Sequence, residues 1–285
     1  HALYIEDVRY FLDYEPKIKE NPNAPTAESG AIEFKNVHFK YEGAEKESLR
    51  GINMKIREGE RIAVVGRNGS GKTTLVKLLL RLYDPTEGEV TLNGKDAKEY
   101  RLSSWRGLFG SVFQDFKLFS LSVKENVTLR LPRDGDDETV TAALKESGAW
   151  SKIEKLEHGI ESTMTREFDD EGVNLSIGEQ QKVSLARIFA DRTPFVVLDE
   201  PSSALDPIAE HTMFENMIRA TEGRSVIFIS HRLSSATLAD RVYMMEDGEV
   251  IEEGTHAELM EKNGKYAEMF RLQAQNYTSG GEGNE

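Results

Sequence analysis

The sequence predicts an α/β protein: a mainly parallel sheet buried on both faces, with a small antiparallel β region beside it and a helical insertion. Three observations predict this class. The runs RIAVVG (61–66), FVVLDE (195–200) and SVIFIS (225–230) are continuously apolar until their ends, as strands covered on both sides must be. Helical patterns separate them, KTTLVKLLLRL after the first and GEQQKVSLARIFADR before the second, and strand–helix alternation gives a right-handed parallel sheet. The segments AIEFKNVHFKY, LRGINMKI and GEVTLN instead alternate apolar and polar residues, the pattern of antiparallel strands with one wet face.

In chain order, His1 to Glu20 mixes apolar and charged residues with a helical period, Leu3, Tyr4, Val8, Phe11 and Leu12 falling near one face. Asn21 to Gly30 (NPNAPTAESG) carries two prolines and no large apolar side chain, which reads as a linker. Residues 1–30 are therefore expected to be a lead-in, and 31–276 a single domain. From Tyr100 to about Gly159 short helical pieces dominate, SVKENV and DETVTAALKESG most clearly, as an insertion between the first buried strand and the later ones. Residues 277–285, almost all of them the polar, glycine-rich TSGGEGNE, are expected to be a disordered tail.

Composition narrows the function. Among 285 residues, 36 basic and 50 acidic side chains give a net charge of −14, which argues against a nucleic-acid partner, since that needs a basic surface. With no cysteine there is no disulfide framework, thiolate zinc site or cysteine nucleophile. No apolar run approaches the ~20 residues that span a bilayer. The start at His1 rather than methionine leads us to expect a longer native chain.

Gly66-Arg67-Asn68-Gly69-Ser70-Gly71-Lys72-Thr73 matches the phosphate-loop pattern in full, between a buried strand and an amphipathic helix that continues through Thr74. Glycines let backbone N–H groups turn inward around a phosphate at a helix N-terminus, where negative charge is favoured. Lys72 can reach β- and γ-phosphates, and the Thr73 hydroxyl can ligate magnesium. The run 195–200 ends in two adjacent carboxylates, Asp199 and Glu200, at the carboxyl edge where ligands of parallel sheets collect. Asp199 is expected to help hold magnesium and Glu200 to polarise an attacking water.

The remaining motifs resemble one family, the nucleotide-binding (ATP-binding cassette) domain of ABC transporters, from about Ala31 to Asn276. Leu175-Ser176-Ile177-Gly178-Glu179-Gln180 is similar to the family signature LSGGQ, Ser203-Ala204-Leu205-Asp206 to its D-loop, Gln114 in SVFQD to its Q-loop glutamine and His231 in FISHR to its switch histidine. Tyr41 stands where the family stacks an aromatic ring on adenine. Singly, Tyr41 reads as strand-end packing and His231 as a structural residue; their joint occurrence favours one site. The resemblance implies a P-loop NTPase core with an antiparallel β subdomain and an α-helical subdomain (about 100–190). It implies an ATPase coupled to transmembrane transport, with ATP as substrate and Mg2+ as cofactor. The implied ATP contacts are Tyr41, residues 66–74, Gln114, Ser176, Gly178 and Glu179, with Thr73, Gln114 and Asp199 at the metal and Lys72, Glu200 and His231 catalytic.

The resemblance further implies a second such domain, identical or not, paired head to tail, and a transmembrane domain on the same native chain at the cytoplasmic face of the cell membrane. The alternative is a separate ATPase subunit of a multi-chain transporter. A soluble relative acting on DNA or ribosomes fits less well, because no heptad run lies between Lys72 and Ser176. Two departures carry expectations. Ile177 brings β-branched bulk to the signature, and Glu179 brings a negative charge that would weaken phosphate binding unless protonated or turned away. Phe168-Asp169-Asp170-Glu171-Gly172 replaces the exporter segment TEVGERG and lacks its glycine at 169.

Overall fold

The computed structural model describes residues 2–113, 116–168, 170–199, 217, 221–233 and 235–279. Helix α1 (Ala2–Leu12) leads in, with Val8, Phe11 and Leu12 all exposed. The stretch that follows is stitched to the domain. Both Glu20 carboxylate oxygens accept the N–H groups of Leu102 and Ser103, at 3.0 and 2.8 Å. Arg101 reaches the Pro22 carbonyl at 2.9 Å, and Ala24 and Ala27 are buried.

Strands β1 (Ile32–Phe39), β2 (Leu49–Ile56), β4 (Glu87–Leu92) and β5 (Lys95–Asp96) form an antiparallel sheet in the order β2-β1-β4-β5. The alternating burial of β1 and β2 places one face against the core, as their sequence pattern requires. The second sheet holds β3 (Arg61–Gly66), β6 (Phe109–Val112), β7 (Phe195–Asp199), β8 (Ser225–Ser230), β9 (Arg241–Glu246) and β10 (Glu249–Gly254), ordered β10-β9-β3-β8-β7-β6. All its neighbours are parallel except β9 and β10.

Ile62, Val64, Val197, Ile227 and Tyr243 pack on one face of this sheet, together with helix α2 (Lys72–Leu79) and the antiparallel sheet. Val196, Leu198, Val226 and Phe228 pack on the other face with helix α7 (Ile177–Ala190). Burial on both faces is why these strands read as unbroken apolar runs.

Four strands escaped the sequence pattern, the two-residue β5 among them. β6 lies inside the stretch read as helical, because four residues with a glycine carry too little periodicity to show. Gly110 is needed there: a Cβ would stand 2.8 Å from Thr193 Oγ1. β9 and β10 form a hairpin whose Asp247-Gly248 turn was a usable signal.

Helices α3 (Leu102–Arg106), α4 (Val123–Thr128), α5 (Asp136–Glu146) and α6 (Trp150–Ile153) complete the insertion. Val123, Val127, Val140, Leu144 and Ile153 form a separate core with Val183 and Ala186 of α7. Helix α7 thus belongs to two cores, Leu185 and Ile188 facing the sheet. Fully buried Asn126 ties this lobe together, its amide donating to the carbonyls of Phe119, Leu121 and Ser122 and accepting the Phe119 N–H. Helices α8 (His256–Lys262) and α9 (Lys265–Ser279) close the chain on the β9 side. Tyr277, Thr278 and Ser279, expected in the tail, fall in α9, and residues 280–285 lie outside the described ones.

Candidate nucleotide site

The phosphate loop leaves β3 at Gly66 and enters α2 through Gly71. Gly69 and Gly71 have φ of 84° and 103°, where only glycine is at ease. Gly71 is also pressed on: a Cβ would lie 2.7 Å from Leu49 Cδ2 and 2.8 Å from Ser48 O. Lys72 is buried, and its ammonium donates to the carbonyls of Gly66 (2.9 Å) and Arg67 (3.0 Å), so it holds the curve of the loop it follows. Ser70 is buried as well, and its hydroxyl has no partner among the described residues. Arg67, Asn68 and Thr73 are exposed, and Thr74 is buried with its Oγ1 3.2 Å from the Tyr41 hydroxyl.

A groove of roughly 1020 Å³ opens over this loop. Its floor is Asn68, Gly69 and Gly71 to Thr74, and its walls come from Lys46 to Ser48, Arg50 and the Asp247-Gly248 turn. The turn braces the loop directly, since Gly248 N–H donates to Ser70 O at 3.1 Å. Arg50 in turn holds the Asp247 carbonyl through Nε (3.0 Å) and Nη2 (2.5 Å). Sequence reasoning named the floor and missed these walls, which lie far from it along the chain.

Tyr41 has its ring edge-on to Phe39 at 4.8 Å and to Tyr83 at 5.3 Å between centroids. Lys77 Nζ stands 5.6 Å from its centroid, a position that suits attraction to the π face. Tyr41 therefore packs on the β region as a strand-end aromatic; it does not line the groove, and touches it through Thr74 alone.

Asp199 ends β7, almost fully buried, opposite Ile229 of β8. β8 also pairs with β3, Val65 opposite Ser230. The sheet therefore sets Gly66 and Asp199 at the ends of β3 and β7, with His231 just past the end of β8 between them; two strand spacings and a two-residue offset in register put Gly66 and Asp199 about 12 Å apart. Thr73 and Asp199 are hard oxygen donors, the kind that suit magnesium shared with phosphates. Gln114, Glu200, Ser203 to Asp206 and Asp169 lie outside the described residues.

The signature lies on the other lobe, and none of its residues lines the groove. Ser176 caps α7 in a reciprocal box with Glu179. The Glu179 carboxylate accepts the Ser176 N–H (2.8 Å) and hydroxyl (2.9 Å), and Lys152 Nζ lies 3.5 Å away. The Ser176 N–H holds the Glu179 carboxyl below its usual range against the opposing effect of burial, with further help from the Ser176 hydroxyl and Lys152. The charge expected to repel phosphate is thus turned onto its own helix start. Ile177 is 65% exposed, and a Cβ on Gly178 would meet nothing within 4 Å, so both face outward. Phe168 is exposed too.

Residues 49–203 match the ABC transporter family. The chain is 40% identical over 264 residues to the ATP-dependent lipid A-core flippase of Chromohalobacter salexigens, covering 93% of this chain and 45% of that protein. It is 38% identical over 265 residues to the putative multidrug export ATP-binding/permease protein YgaD of Bacillus subtilis, covering 92% and 45%. Among solved structures, a bacterial Atm1-family ABC exporter with ATP bound superposes with a TM-score of 0.85 at 32% identity, over 96% of this chain and 47% of that one. The chain thus spans about half the length of the relatives it matches.

Proposed function

Because this chain belongs to the ABC transporter family, we propose that it binds and hydrolyses ATP to drive an exporter whose membrane part precedes it on the native chain. The observation that carries the reading is a complete phosphate loop flooring an open groove, with a histidine and a carboxylate at the ends of the neighbouring strands. Backbone N–H groups of Gly69, Gly71 and Lys72, the Lys72 ammonium and the unpartnered Ser70 hydroxyl would hold the phosphates. Tyr41 would lie against the adenine. Thr73, Asp199 and Gln114 would hold magnesium, which neutralises charge on the β- and γ-phosphate oxygens. Glu200 would take the proton of the attacking water, and His231 would hydrogen-bond the γ-phosphate and align it.

The signature stands away from the groove of its own chain, so Ser176, Gly178 and Glu179 would complete the site of a second nucleotide-binding domain, paired head to tail. ATP would join the two domains, and hydrolysis would release them. The transported substrate belongs to the membrane part. No helix among the described residues is long and apolar enough to cross a membrane.

The test is hydrolysis of MgATP by the purified full-length protein and two variants. Lys72→Ala should lose nucleotide binding, and Glu200→Gln should bind ATP, stop turnover and accumulate as the ATP-bound dimer. Undiminished hydrolysis in Glu200→Gln removes that residue from the mechanism. Cell fractionation tests the membrane assignment: a protein of this chain's size, stripped from membranes by alkali, would mean a separate ATPase subunit.

A further inference from the structure

We infer that Gln273, on the last helix, is a positioning residue for His231; the inference rests on the reading of His231 as the histidine that meets the γ-phosphate. β8 ends at Ser230, and the chain turns away immediately after it. His231 is the first residue past this strand, and its placement decides whether it reaches the phosphate.

Two contacts from one side chain hold the turn there. Gln273 Nε2 donates to the His231 carbonyl at 2.6 Å, and Gln273 Oε1 accepts the Leu233 N–H at 2.9 Å. Bonding residues two apart through one donor and one acceptor is what an adjacent strand would do, so a side-chain amide extends the ladder past the end of β8. Its orientation is unambiguous, because a carbonyl only accepts and an N–H only donates. The Arg232 N–H, on the opposite side of the turn, donates to Ser230 Oγ at 2.9 Å.

The arm has a rigid base. Tyr266 and Ala267 of α9 are fully buried, Tyr266 in a core shared with Leu233, Ala236 and Leu259. Glu252 caps the start of the helix, accepting the N–H groups of Lys265 at 2.7 Å and Tyr266 at 3.3 Å. Gln273 follows Tyr266 by seven residues and so stands on the same face, two turns on. A glutamine suits the task because it presents donor and acceptor on one flexible stem. Leucine would fill the volume and supply neither.

The test compares Gln273→Leu, Gln273→Glu, His231→Ala and the Leu/Ala double variant in the purified full-length protein. Equilibrium ATP binding and kcat against KM are measured for each. Releasing the turn should lower kcat by at least about tenfold in Gln273→Leu, since a displacement of about 1 Å can reduce catalysis by roughly 100-fold. KM and ATP binding should stay within about twofold, showing that the variant is folded. Gln273→Glu keeps the acceptor for Leu233 and should fall between wild type and Leu; it carries the test if the Leu variant does not fold.

If the two residues act as a unit, the double variant should be no slower than His231→Ala alone. Wild-type kcat in Gln273→Leu, or losses that multiply in the double variant, would overturn the assignment while leaving His231 in place. Wild-type turnover in His231→Ala would instead overturn the histidine's role.

Discussion

Replacing Gly71 with alanine isolates the steric demand of the phosphate loop. At φ 103° and ψ −1° the residue lies outside the left-handed well that other amino acids visit, a strain of order 1–3 kcal/mol. The new Cβ would sit 2.7 Å from Leu49 Cδ2 and 2.8 Å from Ser48 O, where about 3.5–4.0 Å is comfortable. Leu49 is fully buried and Ser48 meets the Cβ with backbone, so neither can turn aside cheaply; overpacking of this kind costs about 1–3 kcal/mol. The sum is about 2–6 kcal/mol. Gly69→Ala is the control, because Gly69 has φ 84° with nothing within 4 Å of its would-be Cβ, and should cost only about 1–2 kcal/mol. At about 2–4 °C per kcal/mol, Gly71→Ala should lower Tm by about 10 °C and Gly69→Ala by about 4 °C. ATP at 100 times Kd stabilises a binding protein by about 2.7 kcal/mol. That rise should appear in thermal scans of wild type and Gly69→Ala and vanish in Gly71→Ala, whose loop has been pushed off its phosphate geometry. A Gly71→Ala protein within 2 °C of wild type (about 1 kcal/mol at most), with the same ATP-induced rise, would refute the reasoning.

Two further predictions concern the helical lobe. Glu179→Gln keeps the capping geometry and removes the charge; since the Glu179 carboxyl is held below its ordinary value of 4.5, its stabilisation is complete above that pH and is lost as pH falls through the lowered value. The wild type's lead over the variant in denaturant midpoint should therefore shrink between neutral pH and strong acid, and a constant difference would remove the charge from the account. Asn126→Ala strips three carbonyls and one N–H of their buried partner and should destabilise by about 3 kcal/mol, read as a lower urea midpoint at unchanged m. A loss below about 1 kcal/mol would mean that water replaces the amide.

Much of the fold was legible because its signals are local. The three apolar runs lie on the most buried strands, and the alternating segments form the half-wet sheet. β6 was hidden because an edge strand of four residues leaves no period. The Glu179 charge was read from its identity alone. Which way a carboxylate points depends on whether a helix start three residues back leaves N–H and O–H groups for it, and the serine three residues earlier was the available sign.

By itself the sequence determined the phosphate loop, the strand that ends in Asp199, helix α2 after the loop and helix α7 before that strand. Glycine spacing and unbroken apolar runs dictate backbone shape within a few residues. Only the tertiary structure decided what surrounds the loop. Arg50 and Asp247 meet across 197 positions of chain, and Gln273 reaches His231 across 42. Such hydrogen bonds are set by which strands neighbour in the sheet and where α9 lands on it, so no residue near either partner in the sequence announces them.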